Sequence, residues 1–121
     1  NVVFQAMLST CIAVFTTMLV VYISPYNFNF LGVILLVSLI ALIVMRILNA
    51  LIFKSAKQML YQSYAGIVIF TLYLVYDFDR LKQANAAGDN SWGTAVDIAV
   101  NIYLDIINLF IELLIAMSEN Q

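Results

Sequence analysis

At 121 residues the chain has the length of one ordinary domain, but 64% of it is apolar and only 10% is charged, against roughly 45–50% and roughly 25% in soluble proteins. Too few polar side chains remain to coat a water-facing surface, so a soluble globular fold is excluded. Five Lys and Arg against seven Asp and Glu, with no His and a single Cys, also exclude a nucleic-acid footprint, HExxH zinc sites, Ser-His-Asp catalysis and an internal disulfide.

The pattern predicts an all-α membrane protein: a polytopic transmembrane bundle with four spans, forming one domain over 1–121. Residues 1–45 and 58–76 carry no charged side chain, and uncharged apolar runs of this length read as membrane spans. About 20 residues suffice to cross a ~30 Å hydrocarbon core, and in lipid the backbone must satisfy itself, which makes each span a helix. The first is expected over about 2–23, stopping at the Ser24-Pro25-Tyr26-Asn27 turn signal. Gln5, Ser9 and Thr16 line one of its faces, Ser9, Ala13 and Thr17 have the spacing of close helix packing, and Cys11 in the apolar run reads as a packed thiol. No basic stretch precedes this helix, which argues against a cleavable signal peptide.

The second helix is expected over about 28–53, ending before Lys54 and Lys57, with Ser38 and Asn49 as interhelical hydrogen-bond partners. The third runs over about 59–82. It is apolar from Met59 to Phe78, and Asp79, Arg80, Leu81 and Lys82 lead it out of the membrane. Gln62, Gly66, Tyr73 and Asp77 share one face of it, within an arc of about 60°. Gln83–Gly93, rich in Ala, Asn and Gly, reads as the one real loop, and the fourth helix is expected over about 94–117. Tyr22, Tyr26, Phe28, Phe30, Tyr61, Tyr64, Tyr76 and Trp92 gather near helix ends as interfacial aromatics do.

Intramembrane polar residues cost about 2.5 kcal/mol or more each when ionisable, so each needs a reason. Asp97, Asn101, Asp105, Asn108 and Glu112 fall within an arc of roughly 80° on the fourth helix. Such a stripe lines a wet cavity or forms a polar seam between helices. Arg46 lies roughly 10 Å inside the end of the second helix, and Glu112 roughly 8 Å inside the end of the fourth. Both depths are measured from the side where the first helix begins, here side X, so a salt bridge between them is compatible with the spacing. The opposite side is Y. Lys54 and Lys57 fall on side X, Arg80 and Lys82 on side Y, and the positive-inside count is a tie.

Two stretches carry a family resemblance. Tyr73-Leu74-Val75-Tyr76-Asp77-Phe78-Asp79-Arg80-Leu81-Lys82 resembles the end of the sixth helix in Bax inhibitor-1 family proteins. Asn101-Ile102-Tyr103-Leu104-Asp105-Ile106-Ile107-Asn108-Leu109-Phe110 resembles that family's seventh-helix signature, LYLDxxNLF. The resemblance covers the chain as the last four of seven helices, with the first three expected upstream of Asn1. It implies a multi-pass protein that leaks Ca²⁺ across its membrane in a pH-dependent way. It also implies that an aspartate pair, here Asp77 and Asp105, acts as pH sensor. The family orientation places side Y in the cytoplasm. The Tyr76–Lys82 wording resembles bacterial members, so a bacterial plasma membrane is expected ahead of the ER or Golgi. Arg46 and Glu112 depart from the family pattern.

The resulting expectation is a cation leak channel, not an enzyme, gated by protonation of Asp77 and Asp105. Two facing carboxylates in low dielectric share a proton and titrate as a unit. Their hard oxygens suit Ca²⁺, although two carboxylates fall short of the usual 6–8 ligands, so Ca²⁺ is transient cargo there and no cofactor is expected. Tyr73, Asp97, Asn101, Asn108 and Glu112 are the candidate pore-lining residues, and lipid, Ca²⁺ and protons the expected partners. The alternative is a regulatory membrane protein that acts by binding other membrane proteins in stress or cell-death control.

Overall fold

A computed structural model describes residues 1–24, 28–88 and 91–119, the Glu119 side chain excepted. The expected all-α membrane architecture is what it shows: among the described residues, four helices long and apolar enough to cross a membrane. Helix α1 is Val2–Ile23, α2 is Leu31–Leu48 and continues through a π-helical turn Asn49–Phe53, α3 is Ala56–Ala86, and α4 is Trp92–Glu119. The ends of α1 and α3 meet at side Y, where Lys82 reaches the Val21 and Ser24 carbonyls.

Helix α3 is the centre of the bundle and packs against all three others, most extensively against α4, which also packs on α1. Val21, Phe70, Leu74, Phe78 and Leu109 form the buried core. Large apolar side chains elsewhere point outward: Phe4, Phe15, Val33, Leu51 and Tyr103 are all exposed. That inside-out distribution suits hydrocarbon, where association depends on close packing and polar contacts rather than on escape from water.

Several expectations are corrected. Helix α3 begins at Ala56, three residues before the expected start, because the Ser55 side chain caps it by accepting from Gln58 N. Ahead of it Lys54 takes a left-handed conformation, φ 47°, and Asn49 clamps the reversal through both its amide atoms, to Ser55 O and from Ser55 N. Asn49 therefore ties its own turn instead of bridging distant helices, and Ser38 bonds back to Ile34 O of α2.

At the other end α3 runs through Ala86, so Gln83–Ala86 are helical, and the chain leaves the helix at Gly88, φ 72°. Helix α4 starts at Trp92, where the Ser91 hydroxyl accepts from Thr94 N. Pro25, Tyr26 and Asn27 of the expected turn, with Asp89 and Asn90 of the expected loop, lie outside the described residues.

On α1 the buried face is Ala6, Thr10, Thr17 and Val21 rather than Gln5, Ser9 and Thr16. Thr10 and Thr17 spend their hydroxyls on Ala6 O and Val14 O of their own helix. Cys11 is exposed, not packed. In a membrane bundle an apolar run marks the lipid-facing side as readily as the core.

Candidate functional site

The side Y half of the α3–α4 seam holds the aspartates. Asp77 follows Leu74 by three positions and so shares the buried α3 face, and Asp105 precedes Leu109 by four on the matching face of α4. The packing of Leu74 and Leu109 thus sets the two carboxyls against each other, within side-chain hydrogen-bonding reach. Asp77 is 3% exposed and Asp105 7%. Asp105 Oδ2 is buried without a hydrogen-bond partner among the described residues. Tyr73, one turn before Asp77, stacks on Phe70 and borders both carboxylates.

Arg80 closes this site on side Y. Its Nη1 lies 3.5 Å from Asp77 Oδ1, its Nη2 donates to Asp97 Oδ2 at 2.8 Å, and its guanidinium sits 5.9 Å from the Tyr76 ring centroid. Asp97 is thus the exposed partner of an arginine at the helix end. Asn101 is half-buried, and Asn108 donates to Leu104 O of its own helix at 2.8 Å. The structure sets Asp105 and Tyr73 beside Asp77, joins Asp77 to Asp97 through Arg80, and leaves the two asparagines outside that group.

Glu112 belongs to a separate cluster, two turns toward side X from Asp105. Only 1% of it is exposed, and Arg46 Nη2 donates to both of its carboxylate oxygens. Gly66 makes the arrangement possible: a Cβ there would overlap the Glu112 carboxylate. Gln62, one turn from Gly66, donates to Met45 O and so joins α3 to α2 beside the ion pair.

A third cluster, absent from the sequence reading, lies on the other side of α3. Asp79 is 2% exposed and accepts from Phe28 N at 3.2 Å and from Gln83 Nε2. Lys82 Nζ donates to Ser24 O at 2.6 Å and Val21 O at 3.1 Å. It supplies the cation that the last turn of α1 lacks. A signal was present in the spacing. Asp79 is two residues from Asp77, hence on the opposite side of α3, with Lys82 and Gln83 following at i+3 and i+4. One stretch of α3 therefore faces α4 with Asp77 and Arg80, and the α1–α2 connection with Asp79, Lys82 and Gln83.

Among the described residues no three Cys, Asp or Glu side chains converge on one point that could hold a metal ion. The Asp77–Asp105 pair can offer oxygens to a passing cation, but not a closed coordination shell.

A family profile described as "inhibitor of apoptosis-promoting Bax1" matches residues 1–121. The chain belongs to the Bax inhibitor family. It is 36% identical over 89 residues to Protein LIFEGUARD 4 of Arabidopsis thaliana, covering 74% of this chain and 34% of that protein. To Protein LIFEGUARD 2 of the same plant it is 32% identical over 118 residues, covering 94% and 47%. An uncharacterised protein of Campylobacter jejuni is 32% identical over 88 residues, 73% of this chain and 35% of its own length. The chain thus spans less than half the length of these curated relatives. As a Bax inhibitor family member with four apolar spans it is a multi-pass membrane protein.

Proposed function

We propose that this part of the protein forms the pH-sensitive section of a cation leak path, with Ca²⁺ as the transported ion and Asp77 and Asp105 as the titrating pair. The observation that carries the reading is the buried contact of the two carboxyls, with Asp105 Oδ2 left unpartnered. A buried polar atom in that condition is costly, and it is the atom a proton, water or cation would satisfy. With a proton shared, the pair holds α3 and α4 together. Loss of that proton sets two like charges against each other across the seam and drives the helices apart on side Y.

Arg80 serves as the counter-ion at the mouth of the path, balanced between Asp77 and Asp97. The Asp79 and Lys82 contacts hold the rest of α3 to the α1–α2 connection, so that the movement is confined to the α4 side. The membrane proposed is a bacterial plasma membrane with side Y cytoplasmic, supported by the Tyr76–Lys82 wording. Relatives occur in plants as well as bacteria.

The second reading, a regulator that binds other membrane proteins, draws on the family's description as an inhibitor of apoptosis-promoting Bax1. Asp105→Asn separates the two. Altered Ca²⁺ flux in liposomes containing the full-length variant supports the leak path. Unchanged flux with lost binding to a membrane-protein partner supports the regulator.

A further inference from the structure

We propose that the groove between the side X ends of α2, α3 and α4 binds the headgroup of an anionic phospholipid. The groove has a volume of about 580 Å³, and Arg46 and Lys54 both line it. Arg46 spends only one nitrogen, Nη2, on Glu112, and its Nη1 and Nε have no acceptor among the described residues. A guanidinium carries five N–H donors, and the 36% of the Arg46 side chain that stays exposed leaves the remaining ones accessible to an acceptor in the groove. The Lys54 ammonium likewise has no acceptor among the described residues. The left-handed turn at Lys54 puts it beside the groove instead of along the axis of α2.

The charge balance favours an anion. Two cations meet one carboxylate, Glu112, which is enclosed against Gly66. The remaining wall identifies the anion as a lipid. Ala50, Ala56, Met59 and Ile115 give the groove an apolar flank, next to the exposed side chains of Leu51, Ile52 and Phe53. A phosphate group supplies acceptors for Arg46 and Lys54 while its acyl chains follow the apolar flank into the bilayer. Free phosphate would leave that flank empty. Arginine–phosphate pairing and burial of the chains along the apolar flank together hold such a headgroup, here in the leaflet away from the cytoplasm.

Lys57 provides the internal control. It lies on the same side of the membrane but sits over the Tyr61 ring, 6.0 Å from its centroid, and does not line the groove. The test is binding to the full-length protein in detergent micelles, with dioctanoyl-phosphatidylglycerol, dioctanoyl-phosphatidylcholine and inorganic phosphate as separate probes. Phosphatidylglycerol is expected to bind saturably and more tightly than phosphatidylcholine. Lys54→Gln should weaken it about fivefold, near the contribution of one cation at a membrane surface. The double variant Arg46→Gln/Glu112→Gln, which strands no charge, should weaken it by a similar factor. Lys57→Gln should leave it unchanged. Equal binding of the two lipids, or equal loss in Lys54→Gln and Lys57→Gln, overturns the site. Inorganic phosphate binding as tightly as phosphatidylglycerol overturns the lipid as its occupant.

Discussion

Gly66 of α3 occupies the one position where a Cβ would collide with the Glu112 carboxylate of α4. The absent side chain is what lets an acid lie fully enclosed between two helices and still reach Arg46 on a third. Gly66→Ala gains helix propensity of up to about 1 kcal/mol, but overpacking a filled site costs about 1–3 kcal/mol. Because the carboxylate is held on its far side by Arg46, the cost should win and the melting temperature should fall. In a Glu112→Ala background the collision disappears, and the same substitution should raise it. Thermal unfolding of the four proteins in detergent checks the reversal of sign.

Arg46 and Glu112 should behave as one unit in a neutralising double-mutant cycle. Removing one partner of a buried pair strands the other, at about 3–5 kcal/mol when both are enclosed. Here the Arg46 side chain is 36% exposed, so Arg46→Gln should cost more than Glu112→Gln: the first strands an enclosed acid, the second a cation that can turn outward. The double variant should recover about 1–3 kcal/mol relative to the sum of the singles. Additive losses would show that the two are not partners.

Asp79 and Lys82 should matter for the α1–α2 connection. Asp79→Ala leaves Phe28 N without its acceptor and should cost about 1–3 kcal/mol, whereas Asp79→Asn keeps an oxygen at that position and should cost less. Lys82→Met should raise hydrogen–deuterium exchange over residues 21–24 without altering exchange at the α3–α4 seam. Equal exchange in parent and variant would remove Lys82 as the cap of α1.

How much of this was legible depends on the partner each residue finds. The four helices followed from apolar length, uncharged over 1–45 and 58–76 and carrying its acids on one face in the fourth, since lipid allows that composition little else. The similar depth of Arg46 and Glu112 inside side X allowed a pair but equally allowed Arg46 to reach outward, and the contact in the structure decides between them. The partners of Asp79 and Lys82 could not be read from depth, since they hold backbone groups of the α1–α2 connection rather than complementary side chains. Their charges then looked like the ordinary exit of a helix into water. The end of α3 was missed for the same reason. Gln83–Ala86 have loop-like composition, and the ties from Lys82 to Ser24 and from Gln83 to Asn29 come from tertiary contact. Cys11 and the α1 packing face show a different difficulty: in a membrane helix both faces are apolar, so hydropathy does not say which one is inside.

Asp77 and Asp105 should act as one titrating unit. If so, Asp77→Asn, Asp105→Asn and the double variant should all show the same flattened pH dependence of ion flux. Each asparagine keeps the shape of the side chain while removing one carboxyl, and the repulsion that opens the seam needs both carboxylates, so it disappears with either partner. Progressive flattening from single to double variant would instead indicate two independent groups.

The measurement that bears most directly on the central claim is Ca²⁺ flux into liposomes containing the full-length protein, followed from acid to alkaline pH for the parent and for Asp105→Asn. The account predicts a flux that rises as the parent's carboxyl pair loses its proton, and a flux in Asp105→Asn that no longer changes with pH. The same pH profile in both proteins would contradict it.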